Sequence, residues 1–201
     1  MSPRSAESTN QIKDERRAKI LMAALRVFAE KGLQASKMSE IASQAGMSNG
    51  LAYHYFESKE ALFHELATIA MDTSLGAYRA AAAAPGSAYE RIRRLVSGIV
   101  PSAYRGEGRL FFLLMIQAFT FRDIPESTRA MVAERSPEYS SILTGLIRRA
   151  QADGDVRAAD PAMLAASLTA MIQGLAVIST PGYDVAFPDA ETILRLISAQ
   201  N

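Results

Sequence analysis

The sequence predicts an all-α protein of about nine helices, with a small N-terminal three-helix unit built on a helix-turn-helix and a larger C-terminal helical bundle. Three observations predict it. Alanine and leucine are abundant, and apolar residues recur at spacings of three and four along most of the chain. Runs that alternate apolar and polar residues, as a half-buried strand requires, are absent. Gly and Pro then punctuate the sequence at Gly32, Gly46, Pro85-Gly86, Gly106 to Gly108, Pro125, Gly154, Pro161, Pro181-Gly182 and Pro188, leaving stretches of helical length between them.

Residues 1–10 are small and polar and read as a mobile tail. The first helix is expected from Lys13 to Lys31, with Leu21, Ala24, Leu25 and Phe28 on one face and Gly32 as its stop. Two short helices follow, one after Ser36 as N-cap and ending near Gln44, the other from Ser48 to Tyr55. A fourth, capped by Ser58, keeps its apolar pattern into the alanine run at Ala80 to Ala84 and would connect the two halves. Beyond Pro85 the segments are longer and oilier, at about 87–104, 108–121, 126–152, 161–179 and 188–199. Pro137 lies inside one of them and should kink or split it. The expected organisation is a tail (1–10), a helix-turn-helix domain (11–57) and a second domain (58–201) that starts with the connector, 58–84.

With 22 basic and 21 acidic residues the chain is close to neutral, so total charge does not point to a nucleic-acid partner. All five lysines (Lys13, Lys19, Lys31, Lys37, Lys59) fall in the first third, but acidic residues there nearly cancel them. The lack of cysteine excludes disulfides and thiolate metal sites, and His54 and His64 belong to no ligand cluster, so no metal or cofactor is expected. The first residues lack the apolar run of a signal peptide or membrane span; a cytoplasmic protein with no membrane partner is expected. No phosphate loop, nucleophile elbow or recognisable carboxylate pair is present, which argues against an enzyme, and Glu134-Arg135 and Asp153-Gly154-Asp155 read as solvated surface or turn.

The segment from Ile41 to Tyr55 has helix-turn-helix spacing. Ala42 must be small where the second helix crosses, and Gly46 supplies the positive φ of the turn. If Ile41, Ala45, Met47, Ala52 and Tyr55 face inward, the helical period turns Ser48, Asn49, Gly50, Leu51, Tyr53 and His54 outward or to the rim. That face suits the DNA major groove. Gly50 permits close approach, Asn49 can pair with adenine and Leu51 can lie against a thymine methyl. Tyr53, His54 and Lys59 read as phosphate anchors, and Ser36 and Lys37 open a helix whose free amides favour a phosphate. Any one of these residues also fits a packed corner; the whole pattern is more specific than its parts.

From Arg16 to Leu66 the sequence resembles the TetR family of regulators. The resemblance is carried by Ile20-Leu21-x-Ala23-Ala24-x-x-x-Phe28-Ala29-x-x-Gly32, Ser36 to Ala42, Gly46-Met47-Ser48, Tyr53-His54-Tyr55-Phe56 and Ser58-Lys59-Glu60-Ala61-Leu62. A second echo is Gly154-Asp155-Val156-Arg157-x-x-Asp160-Pro161, followed by Gln173-Gly174-Leu175. The resemblance implies a three-helix DNA-binding domain, a connector helix and a variable bundle that binds a ligand and dimerises through its last two long helices. It also implies Ser48 to Tyr55 as recognition helix, Lys59 on a phosphate, and Arg16 and Arg17 in an N-terminal arm on the backbone or minor groove. Lys37, where a small hydroxyl residue is usual, and Leu51-Ala52, in place of a common Thr-Leu pair, depart from the pattern and leave the bases read open.

In the second bundle, Leu110 to Phe119 is apolar almost all round and belongs in a bundle interior. Leu75, Tyr78, Leu95, Ile99, Tyr104, Phe112, Met115, Phe119, Met171 and Gln173 offer soft walls and a few polar handles for a small apolar or aromatic ligand; each also fits plain packing. No charged cluster awaits a strongly ionic effector. Leu164, Ser167, Leu168, Met171, Leu175 and Ile178 form one stripe and Ile193, Leu194 and Ile197 another; they either close the protomer's core or, as the resemblance implies, pair with their two-fold copies. A homodimer on palindromic double-stranded DNA, released by an apolar effector, is the expected function. A DNA-binding architectural or activator protein of the same fold without effector is the alternative.

Overall fold

The computed structural model describes residues 3–179 and 186–199, with side chains described from residue 11. Pro181-Gly182 lies outside the described residues. Among the described residues there are nine α-helices and no strand: α1 (Pro3–Ala35), α2 (Met38–Gln44), α3 (Asn49–Tyr55), α4 (Lys59–Ala83), α5 (Ala88–Tyr104), α6 (Gly106–Thr120), α7 (Glu126–Ala152), α8 (Pro161–Ile178) and α9 (Ala190–Arg195). Side-chain caps start most of the later helices. Ser48, Ser58, Asp160 and Asp189 each accept from a backbone amide of the first turn, and Ser87 forms a reciprocal capping box with Glu90.

Two hydrophobic cores organise these helices, and no residue is buried in both. The first joins Ile20, Leu25 and Phe28 of α1 to Ile41 of α2, Ala52 of α3 and the early half of α4, where Phe63 meets Phe28 edge-to-face at 5.5 Å. It also takes in Leu114 and Ala118 of α6, Ile124, and Met131 and Val132 of α7. The second core holds Tyr78 and Ala81 of α4, the inner faces of α5, α7 and α8, and Ile193, Leu194 and Ile197.

Several expectations need correction. Helix α1 starts at Pro3 rather than Lys13, so residues 3–10 continue it instead of forming a separate tail; no glycine breaks the stretch, and proline is favoured in a first turn. At its other end Gly32 leaves helical geometry (φ 78°, ψ 166°), as its stop role requires. Of the kink or split expected at Pro137, the split is excluded: α7 is continuous from Glu126 to Ala152 with Pro137 inside it. The last helix is short, Ala190–Arg195, against an expected 188–199. Its apolar residues are spent inside the protomer: Ile193, Leu194 and Ile197 are 2%, 0% and 1% exposed, and so cannot form a dimer face.

The same correction applies to α8. Leu164, Leu168 and Leu175, assigned to the dimer, are buried in the second core. Mean hydropathy over this helix is 1.7, apolar on every side, so periodicity could not say which side turns in. Packing selects it. Met163, Ala166, Ser167, Ala170, Val177 and Ile178 are left exposed, Met163 at 69% and Val177 at 50%, while Met171 is half-buried.

Candidate nucleic-acid interface

The turn between α2 and α3 is built by Gly46 at φ 68°, and by the amide of Met47, which donates to the carbonyl of Ala42 at 2.9 Å. Ala42 and Ala52, 1% and 0% exposed, turn into the first core from the two helices. Ala45, Met47 and Tyr55 pack at the edge of the same core, as the helical period requires. The opposite side of α3 is open: Ser48, Asn49, Gly50, Tyr53 and His54 are exposed and Leu51 is half-buried. Ser48 spends an oxygen lone pair on the Leu51 amide at 3.2 Å, so its hydroxyl still has a hydrogen to donate outward.

Beside α3 lies a hollow of about 360 Å³ lined by Ser36, Lys37, Met38, Tyr53, Glu57, Ser58, Lys59 and Glu60. It gathers Ser36, Lys37, Tyr53 and Lys59 of the residues assigned to phosphate, but not His54, and their roles differ. Lys37 is exposed at the N-cap of α2, beside that helix's free amides, and offers its charge to an anion. Ser36 is 2% exposed and is neither the cap nor an outward contact; its hydroxyl donates back to the carbonyl of Gly32 at 2.6 Å. Lys59 is turned the same way. Its ammonium donates to the carbonyls of Leu33, Gln34 and Ser36 at 2.9, 3.0 and 3.0 Å, which occupies all three hydrogens. It ties the start of α4 to the end of α1, and the sequence-level assignment to a phosphate is corrected accordingly.

The proposed N-terminal arm is corrected too. Arg16 and Arg17 lie within the regular helix α1. Arg17 pairs with Glu65 of α4, with its guanidinium 5.0 Å above the Phe56 ring, so it braces α1 against α4 from a half-exposed position; Arg16 is exposed. In the second bundle, Tyr78 and Leu95 are buried in the second core, and Ile99, Tyr104, Phe112 and Met171 pack against it. Leu75 is buried between the two cores, and Gln173 is half-buried. Met115 and Phe119 are not part of that group. Met115 packs on the first core and Phe119 is 46% exposed, because α6 lies between the two cores rather than inside one.

Gln117 was missed by sequence reasoning. It is 8% exposed, and its amide donates to the carbonyl of Phe28 at 2.7 Å within the first core. The available signal was a lone polar residue in the apolar run from Leu110 to Phe119.

An exposed, polar recognition helix behind a glycine turn, carried on a helical bundle, defines a helix-turn-helix DNA-binding regulator. Comparison with known proteins identifies the family. Residues 20–66 match the family described as bacterial regulatory proteins, tetR family, and residues 85–177 match the tetracyclin repressor-like C-terminal domain. The regulator BetI of Rhizobium meliloti (strain 1021) is 34% identical over 80% of this chain and 75% of its own length. The repressor KstR2 of Rhodococcus jostii (strain RHA1) is 27% identical over 78% and 75%. AibR, solved in complex with isovaleryl coenzyme A and operator DNA, superposes with a TM-score of 0.72 over 90% of this chain and 94% of its own, at 23% identity, a likeness of fold. The chain belongs to the TetR family of transcriptional regulators, and its activity is DNA binding rather than catalysis.

Proposed function

We propose that the protein is a cytoplasmic, homodimeric repressor that holds a palindromic operator through α3 and releases it when a small apolar or aromatic molecule enters the second bundle. The observation that carries the reading is the free outer face of α3: Ser48, Asn49 and Gly50 for base edges, with Tyr53, His54 and Lys37 placed for flanking phosphates. The domain reading stays that of a reading unit at 11–57 and a regulatory unit at 58–201. Dimerisation is supported by the exposed side of α8, where Met163, Val177 and Ile178 stand among the small residues Ala166 and Ala170. Two such faces packed about a two-fold axis would bury that apolar surface and present paired recognition helices.

The effector class is supported by the residues in and against the second core. Tyr78, Leu95, Ile99, Tyr104, Phe112 and Met171 are apolar or aromatic with two phenolic hydroxyls among them. AibR was solved with isovaleryl coenzyme A, a thioester with an apolar acyl end and an ionic coenzyme end. The close burial of Tyr78 and Leu95 also favours a second reading, a filled bundle with no effector. Selection of bound fragments from a random duplex pool tests DNA recognition and gives the operator with its symmetry. A thermal-shift panel of acyl thioesters and aromatic compounds, followed by operator affinity for each hit, separates the two readings. Hits that stabilise the protein and leave operator affinity unchanged would sink the effector-release mechanism.

A further inference from the structure

Helices α4 and α7, which run from one core to the other, each carry a helix-weakening residue between the two. On α4 the first core takes residues as far as Met71 and the second begins at Tyr78. Between them lies Gly76, exposed, where an added Cβ would meet nothing within 4 Å. On α7 the first core takes Met131 and Val132 and the second begins at Leu143, with the exposed Pro137 between them. Glycine is among the least stiff helical residues, and Pro137 has no N–H to give the carbonyl of Ala133. Tyr139 packs against both cores. Its hydroxyl donates to the Met71 carbonyl at 2.7 Å, and its ring stands edge-on to Tyr78 at 5.0 Å. Ion pairs lace α4 to α7 at this level: Arg135 with Asp72, and Arg79 with both oxygens of Glu138 at 2.6 and 2.7 Å.

We propose that this level is a hinge. Each core is close-packed and resists internal shear, so rotation between the two concentrates on the line from Gly76 to Pro137, with Tyr139 as its pivot. The ion pairs keep α4 and α7 together as they bend. Helix α6 spans the level: in its second half Leu114 and Ala118 are buried in the first core and Gln117 holds Phe28, whereas in its first half Phe112 packs on the second core and Arg109 donates to the hydroxyl of Ser179 at the end of α8 at 2.5 Å. The moving head therefore comprises α1 to α3, the first half of α4, the second half of α6 and residues 124–132, rather than residues 11–57 alone.

The cysteine-free chain permits a direct test. Spin labels at Ser43→Cys and Ala158→Cys, both exposed, report one body against the other, and labels at Ser43→Cys and Thr120→Cys report within the head. Labelled full-length chain is diluted with unlabelled chain, so that only distances within a protomer are read. The 43/158 distance distribution is expected to be about twice as broad as the 43/120 distribution, and Gly76→Ala with Pro137→Ala should narrow it to the width of the head pair. Equal widths in the parent background overturn the hinge, and a 43/120 distribution as broad as 43/158 overturns the assignment of the second half of α6. An unchanged width in the folded double variant overturns the roles of Gly76 and Pro137. Should that variant fail to fold, Gly76→Ala alone, whose methyl enters open space, must give partial narrowing. No ligand or operator is needed, so failure here is distinct from failure of the proposed function.

Discussion

Gln117 and Phe28 are 89 positions apart in sequence and 2.7 Å apart as amide and carbonyl, in a buried hydrogen bond that fastens α6 to the end of α1. The other end of the Gln117 amide, Oε1, is also buried and accepts from no described residue. Gln117→Met removes the donor and the unpaired oxygen together and is expected to cost less than about 1 kcal/mol. Gln117→Glu places a carboxyl against a carbonyl and is expected to cost on the order of 1–3 kcal/mol. Its carboxyl would be held neutral, with a pKa above the unfolded value, so the loss should deepen as pH rises through the carboxylate range. Urea denaturation at several pH values measures both.

Lys59 spends its three hydrogens on Leu33, Gln34 and Ser36, so its removal is expected to act on stability. Lys59→Met should lower unfolding free energy by about 2–3 kcal/mol, by leaving carbonyls without their charged donor. Affinity for a random duplex measured against salt should keep its slope, whereas Lys37→Ala should reduce it by about 0.9 per protomer on the DNA, about 1.8 for a bound dimer. A slope reduced equally by both substitutions would return Lys59 to the phosphate backbone.

Asn49 is exposed in the first turn of α3 with its amide pointing to no cap, since Ser48 fills that role. Asn49→Ala is expected to relax preference at one operator position by about 1–3 kcal/mol, with little change on random duplex. Competition binding across single-base operator variants would show it; a uniform loss at every position would contradict it.

On α8 the two faces should answer differently. Ala170→Glu, on the exposed face, is expected to yield protomers by sedimentation with helicity retained. Leu168→Ala, at 1% exposure in the second core, should instead cost about 2–5 kcal/mol in stability without first splitting the assembly.

Much of the first unit was legible because its chemistry is local. Gly46 needs its positive φ and Ala42 its small size whatever surrounds them, and Ser48 and Ser58 cap within their own turn. Lys59 was not legible, because its partners are main-chain carbonyls 23 to 26 positions away, which no residue type marks. Helix α8 was half legible: composition gives an apolar helix, but which of two apolar faces turns inward depends on α5 and α7.

The Arg79–Glu138 pair sets a mild acid sensitivity. Its guanidinium, hydrogen-bonded to the carboxylate, lowers the Glu138 pKa from its ordinary 4.5. A carboxyl lowered on folding contributes stability above its unfolded value and loses it as pH falls through the folded one. Glu138→Gln should therefore flatten the decline in melting temperature below about pH 4.5, with the neutral-pH value slightly reduced because the pair is solvent-exposed.

The shared first core also bears on engineering. A chimeric sensor made by cutting at Ser58 and grafting the preceding residues onto another regulator's bundle would strip Phe28 of its Gln117 donor and expose the surfaces that Leu114, Ile124 and Met131 cover. A workable transplant carries those buried neighbours along as a discontinuous insert, and a recipient with its own α6 in that place competes for the same seat.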